Sequence, residues 1–268
     1  KGGLADYNSQ VLPVNSRVAM DGDQIALCVT AGKKYDVAVH VWKICWNLAG
    51  APATWINSMR TAGRLQQTYG GTELTWLCPS HPDNQALERD AVLEIVNNYD
   101  IDGIHLDYIR YPWYTYCYCD GCRQRFEAAS GLIVHNWPAD VLINGLHYMA
   151  YQDFRRAQIS GLVQEISQSV RLVKPDVKIS AAVSGSWPSC RDNYGQDWVG
   201  WMDNGWLDFV CPMNYTLFSD IYGSIVQAQY DLINGGVSLF SGVGASDPGL
   251  CLDKLIDQIK ATRTTGTG

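Results

Sequence analysis

Short apolar segments rich in β-branched and aromatic residues alternate along this chain with stretches of helical periodicity, and that alternation constrains the fold more than any other feature. The strand-like segments are Asp36–Trp46 (DVAVHVWKICW), Glu73–Cys78 (ELTWLC), Gly103–Ile109 (GIHLDYI), Val177–Val183 (VKISAAV), Leu207–Cys211 (LDFVC) and Val237–Phe240 (VSLF). Between them, Asp83 or Asn84 caps a helix whose apolar side carries Leu87, Ala91, Val92, Ile95 and Val96. A longer helix carries Phe154, Ile159, Leu162, Val163, Ile166 and Val170 and ends before Pro175. Further helices are expected near Asp21–Gly32, Ser219–Ile233 and Leu252–Arg263. Such an order predicts an α/β fold with a parallel sheet and helices outside it. Six strands are fewer than the eight of a closed barrel. The expectation is therefore a (β/α)8 TIM-type barrel without its first and last strands, with an open doubly wound sheet as the alternative. Residues 1–268 read as one barrel domain carrying a Cys-rich insertion at 113–131.

Charge narrows the partners. Twenty Lys and Arg against 27 Asp and Glu give a net charge of −7, and no basic cluster is present, so a nucleic-acid partner is not expected. No apolar run reaches the roughly 18–20 residues that span a bilayer. Ten Trp and 15 Tyr against five Phe favour rings with a polar edge, which suit a wet binding cleft as well as a buried core. The chain opens at Lys1 without a Met or an apolar signal core, as a processed product or a fragment would.

The segment Asp102–Pro112, DGIHLDYIRYP, carries the candidate chemistry. Side chains alternate along a strand, so Ile104 and Leu106 share one face and His105 and Asp107 the other. In a parallel barrel the last inward residue opens onto the top face, where barrel active sites are assembled. Asp107 holds that place, with His105, Tyr108, Arg110 and Tyr111 as surrounding donors. Asp107 is thus the expected catalytic carboxylate, with Arg110 and Tyr111 tuning or positioning it.

DGIHLDYIRYP, together with QDW (196–198), GWLDFVCPMNY (205–215) and a Gly-rich end, resembles the glycosyl-hydrolase-like family 10 domains. The resemblance implies a bacterial glycoside hydrolase on a (β/α)8 barrel, acting on a poly- or oligosaccharide in a secreted or cell-envelope setting. A more distant likeness is to family 18 chitinases, whose fourth strand carries DGxDxDxE. Asp102 and Asp107 match that pattern, but His105 replaces its middle Asp and Ile109 its acid Glu, so that mechanism does not carry over.

Glycoside hydrolysis usually takes two carboxyls. Asp208 sits at the start of its strand, the wrong end of a barrel. The loop candidates are Asp192, Asp197, Asp220 and Asp247; Asp197 also reads as an acid at a helix start. His40, Trp42, Asn47, His81, His105, Trp187, Asn214 and Tyr215 suit a sugar cleft, where rings stack on pyranose faces and amides bond hydroxyls. A binding barrel without turnover, or a structural subunit of a larger or homo-oligomeric assembly, remains the alternative.

Cys117, Cys119 and Cys122 form C-Y-C-D-G-C, three thiols that can wrap one tetrahedral cation with Gly121 making the turn. Cys78, closing an adjacent strand, is the expected fourth ligand, and His81 could replace one Cys. Four thiolates make a closed structural zinc site; a disulfide plus free thiols is the alternative. The pattern resembles the zinc cluster of family 42 β-galactosidases. Cys28, Cys45, Cys211 and Cys251 read as buried thiols and Cys190 as a loop residue. No organic cofactor is expected.

Overall fold

Strands β1 (His40–Ile44), β4 (Gly103–Asp107), β5 (Lys178–Ser184), β6 (Phe209–Met213) and β7 (Ser238–Leu239) pair in that order, all parallel, in a computed structural model that describes residues 2–233 and 238–267. The spatial order follows the chain order throughout. A doubly wound sheet reverses at a switch point, whereas a sheet wound in one direction is the wall of a barrel. Of the expected strand Val237–Phe240, Val237 lies outside the described residues.

Burial agrees with one-sided winding. Ile104, Leu106, Ile179, Ala181, Val183, Val210 and Leu239 point outward under the helices and are buried. Residues of opposite parity line the concave face, where Trp42 is 61% exposed and Phe240 45%. The helices Pro82–Asn98 and Tyr148–Val173 pack side by side on the outer layer through Val92, Ile95, Val96, Ile159, Leu162 and Ile166. Among the described residues the sheet is open, and its concave face forms a cleft of about 730 Å³.

One expected strand takes a different place. Glu73–Leu77 (β3) pairs antiparallel with Leu65–Gln67 (β2), a strand the sequence reading did not anticipate, and β1 pairs directly with β4. Its alternation explains this. Glu73 and Thr75 interrupt the apolar run, and a strand of that pattern suits a half-covered hairpin better than a sheet buried on both faces. The hairpin stays tied to the barrel wall through the Asn47–Trp76 bridge and the Leu77 N–H donated to the Trp46 carbonyl at 2.8 Å.

Two local devices set the strand ends. A Cβ on Gly103 would lie 2.2 Å from His40 Nδ1, so the glycine admits the imidazole across the β1–β4 pairing. Tyr108 has φ of +56°, which ends β4 two residues earlier than its apolar run suggests. On the outer side of β1, Lys43 pairs with Glu88 of the helix Pro82–Asn98, and both side chains are buried. Glu88 also accepts the Trp46 backbone N–H at 2.8 Å, fixing the strand end where Trp46 has φ of +62°.

Candidate active site and metal centre

Asp107 is the last residue of β4, on the concave face with His105. Register places Trp42 opposite His105 and Ile44 opposite Asp107. Across that pairing Trp42 Nε1 donates to Asp107 Oδ2 at 3.0 Å, while the Tyr108 backbone N–H donates to Asp107 Oδ1 at 2.7 Å. Both carboxylate oxygens thus accept one N–H each, which fixes the side chain at the strand tip. His105 shares a hydrogen bond between its Nδ1 and Ser180 Oγ, 2.9 Å, across the β4–β5 pairing. Burial lowers the His105 pKa below the ordinary imidazole value, with nearby Asp107 opposing that shift. His40 lies against Phe209, ring centroids 5.7 Å apart. The concave face therefore brings together Asp107, His105, Trp42 and His40.

Aromatic residues from the loops after the strands extend the site. Tyr108 meets Trp76 edge-on at 5.5 Å. The Arg110 guanidinium stands between the rings of Tyr108 and Tyr194, 5.4 and 5.2 Å from their centroids. Tyr194 in turn contacts Trp113, and Trp113 contacts Tyr114. Tyr215 is exposed at the end of β6.

Several expected residues lie elsewhere. Tyr111 is fully buried beneath Arg155, 4.4 Å from its ring centroid, so it presents no surface to a substrate and does not position Asp107 from the cleft. The reason is local: the chain turns inward after Arg110, where Tyr111 N–H meets the Tyr194 carbonyl. Asn214 is also buried, its amide spent on Gln229 and Ser241. Trp187 packs against Trp198 with Arg191 over its ring. His81 caps the helix Pro82–Asn98, its Nδ1 accepting the Asp83 N–H at 3.2 Å, and Asn47 accepts the Ala49 N–H. Among the loop carboxylates, Asp192 pairs with Arg191 and Arg156, and Asp247 accepts the Gly249 N–H. Asp197 stands at the start of the helix Trp198–Asp203 and Asp220 in the first turn of Ser219–Leu232. Asp208 accepts the Ile179 N–H and pairs with Arg171 and Lys178 at the opposite end of the strands from Asp107.

The four thiols expected to gather do so. The Sγ atoms of Cys78, Cys117, Cys119 and Cys122 all lie within 4.8 Å of one another and are buried. Cys78 Sγ is 3.3 Å from Cys122 Sγ and 3.9 Å from Cys119 Sγ. Zn–S bonds of about 2.3 Å in a tetrahedron put sulfurs about 3.8 Å apart, whereas a disulfide needs about 2.05 Å. All nine cysteines are free thiols. The donor set therefore fits one soft tetrahedral cation. Hydrogen bonds from the other three thiols, Cys117 first, hold Cys78 well below the usual thiol range, whereas burial pushes Cys117 well above it. In a dry cluster that favours one thiolate and resists another, a bound divalent cation would offset part of the charge that further thiolates bring. Cys78 reaches this place through the β2–β3 hairpin rather than through a neighbouring barrel strand, and Gln67 of that hairpin donates its N–H to Cys117 Sγ at 3.4 Å.

Outside the cluster, Cys190 is buried rather than a loop residue in solvent, and Cys28 and Cys251 are exposed rather than buried. Cys28 shares the face of the helix Gln24–Tyr35 that carries Ile25 and Gly32, and is exposed because that face borders an open cavity also lined by Leu12, Val41 and Ile95. Sequence reasoning passed over the Lys43–Glu88 pair and the residues that surround the thiols, since no pattern in the sequence marks a buried charge. The one signal was Lys43 itself, a lone cation in an apolar strand.

Comparison with known proteins bears on all of this. Residues 23–247 match the family described as "Glycosyl hydrolase-like 10". The chain is similar to an S-layer-related protein of Niallia circulans, 28% identical over 221 residues, covering 69% of this chain and 14% of that protein. It is also similar to the glycosyl hydrolase YngK of Bacillus subtilis, 25% identical over 152 residues, covering 51% of this chain and 27% of the relative. The chain thus spans well under a third of the length of these relatives. In structure it resembles the PgaB (BpsB) glycoside hydrolase domain of Bordetella bronchiseptica, with a TM-score of 0.74 and 14% identity over 99% of this chain and 77% of that one. That likeness concerns the fold.

Proposed function

This chain belongs to the glycosyl hydrolase-like 10 family, and from that premise we propose that it cleaves glycosidic bonds in a poly- or oligosaccharide at the tip of β4. The observation that carries the reading is Asp107, held on the concave face by the Trp42 indole N–H and the Tyr108 backbone N–H. Those donors orient its carboxylate as an acceptor, the state in which such a group attacks an anomeric carbon or takes a proton from water. His105 and His40, on the same face, bind sugar hydroxyls, and the rings of Trp42, Tyr108, Trp113 and Tyr215 stack on sugar faces. Arg110, set between Tyr108 and Tyr194, braces the aromatic wall beside Asp107.

Zinc is the metal proposed for Cys78, Cys117, Cys119 and Cys122. Four thiolates fill its shell and leave no position for substrate, so its contribution is structural. It ties the loop after β4 to the β2–β3 hairpin. The S-layer-related relative supports a secreted or cell-envelope location.

A second reading is a glycan-binding barrel without turnover. It is favoured by the loop carboxylates, since Asp192 and Asp247 are each spent on local partners. Digestion of a glycan panel read by mass spectrometry, wild type beside Asp107→Asn, separates the two. Cleavage by the wild type and none by the variant, with glycan binding kept, is the expected result. Equal cleavage by both would remove Asp107 from the chemistry, and binding without cleavage by either would favour the second reading.

A further inference from the structure

Gly121 in C-Y-C-D-G-C does not make a turn. It lies in the first turn of the helix Asp120–Ser130 and is not among the glycines with positive φ. What it provides is space. A Cβ there would lie 2.7 Å from Arg125 Nη2 and 2.8 Å from Nη1. Helical side chains lean toward the N-terminus, and residues four apart share a face, so Arg125 folds back over Gly121 toward the thiols. From that seat its Nε donates to Ser80 Oγ at 3.0 Å and its Nη2 reaches Cys78 Sγ at 3.7 Å. Ser80 Oγ is itself 3.3 Å from Cys78 Sγ and 3.2 Å from Cys122 Sγ. Among the described residues no carboxylate pairs with Arg125; the groups it faces are Ser80 Oγ and the sulfur of Cys78.

We propose that Arg125, admitted by Gly121 and bridged by Ser80, is the counter-charge and positioning residue of the four-thiolate metal site. The inference rests on the metal reading above. A divalent ion on four thiolates carries a net charge of minus two, and a buried charge of that size needs cations and hydrogen-bond donors around it. Arg125 supplies one positive charge and an N–H aimed at sulfur. Arg155, 1% exposed and without a carboxylate partner among the described residues, supplies a second across the buried ring of Tyr111. Two guanidinium groups balance a dianionic centre, whereas four neutral thiols or two disulfides would leave both cations uncompensated. Groups that hydrogen-bond metal ligands tune affinity by about 10–100-fold.

The test uses the full chain loaded with Zn²⁺ alone, and separately with Co²⁺. Arg125→Met is expected to speed zinc transfer to a chromogenic chelator by about 10–100-fold. Gly121→Ala should act in the same direction, because its Cβ displaces the guanidinium, although alanine is the better helix former. Arg125→Lys should recover part of the retention. In the cobalt protein both Arg125→Met and Gly121→Ala should shift the sulfur-to-metal charge-transfer band, which a merely structural role would leave in place. Wild-type release rates and an unshifted band in Gly121→Ala and Arg125→Met would overturn the proposal. A wild-type chain that takes up neither Zn²⁺ nor Co²⁺ would instead overturn the metal reading, and this inference with it.

Discussion

Replacing Glu88 tests how β1 is held in the register that aims Trp42 at Asp107. Lys43 and Glu88 have side chains only 8% and 5% exposed. Glu88 also accepts the Trp46 N–H, and Lys43 Nζ donates to the Ile44 carbonyl. Glu88→Ala leaves a buried ammonium without its counter-ion, at about 3–5 kcal/mol. It also leaves a buried N–H without an acceptor, at about 1–3 kcal/mol. Because one carboxylate serves both, the expected loss is about 4–8 kcal/mol, a large part of a typical domain's total. Glu88→Gln keeps an acceptor for Trp46 and should lose about 3–5 kcal/mol through the charge alone. In Lys43→Met/Glu88→Gln the uncompensated cation is gone and the acceptor remains, so stability should return to within about 1–2 kcal/mol of wild type. Guanidinium unfolding followed by tryptophan fluorescence supplies the double-mutant cycle. Burial alone would lower the Lys43 pKa, but the Glu88 carboxylate and Cys45 together outweigh it and the net direction is upward. A raised folded pKa means the pair's contribution is complete below the unfolded lysine value of about 10.4 and fades as pH rises through the higher folded value. A Glu88→Gln protein within 1 kcal/mol of wild type (roughly a fivefold change in the folding constant) would refute this account of the strand anchor.

Trp42→Phe keeps the ring but removes one of the two N–H donors on Asp107; about 1–1.5 kcal/mol, or roughly tenfold in kcat/KM on a cleaved glycan, is the expected loss. An unchanged rate would dissociate that bond from catalysis. Elemental analysis should find about one zinc per chain, and strong chelation should lower the Tm as the loop after β4 comes free. Recovery of a Cys117–Cys122 disulfide with no metal would contradict this. His105 is held below the usual imidazole value by burial, so its contribution to stability is present above pH ~6.5 and is lost as pH falls through the lower folded value. Urea midpoints measured from about two pH units below the free imidazole value of ~6.5 to about one unit above it should show that acid-side loss, and His105→Gln should remove it.

Much of the site was legible from local pattern. Alternation in GIHLD puts His105 and Asp107 on one face and Ile104 and Leu106 on the other, as the half-buried and fully buried sides of β4 turn out to be. Three thiols in C-Y-C-D-G-C are close in sequence, so any compact loop brings them together. Tyr111 and Asn214 were misplaced because a polar residue at a strand end has two ways to satisfy its polar groups, toward solvent or into the scaffold. Which one is taken depends on Arg155, Gln229 and Ser241, residues far away along the chain. Glu88 shows the same limit: nothing in the sequence separates it, buried on a cation, from an exposed glutamate of an amphipathic helix.

What the sequence determined by itself is the material of the fold: strands and helices in alternation, the parity that gives β4 an inward Asp107, and a tight set of cysteines. These follow from short-range physics, since side-chain direction in a strand and the reach of a six-residue loop are set by neighbouring residues. The tertiary structure decided the pairings. It put Glu73–Leu77 into a hairpin rather than the barrel wall and brought the Trp42 indole onto Asp107 from across the sheet. It also laid Arg125 over Gly121 against the thiols and buried Lys43 on Glu88. Each of those contacts joins surfaces whose burial is settled only when the whole sheet and its helices close together, so its energy belongs to the packing and not to either segment.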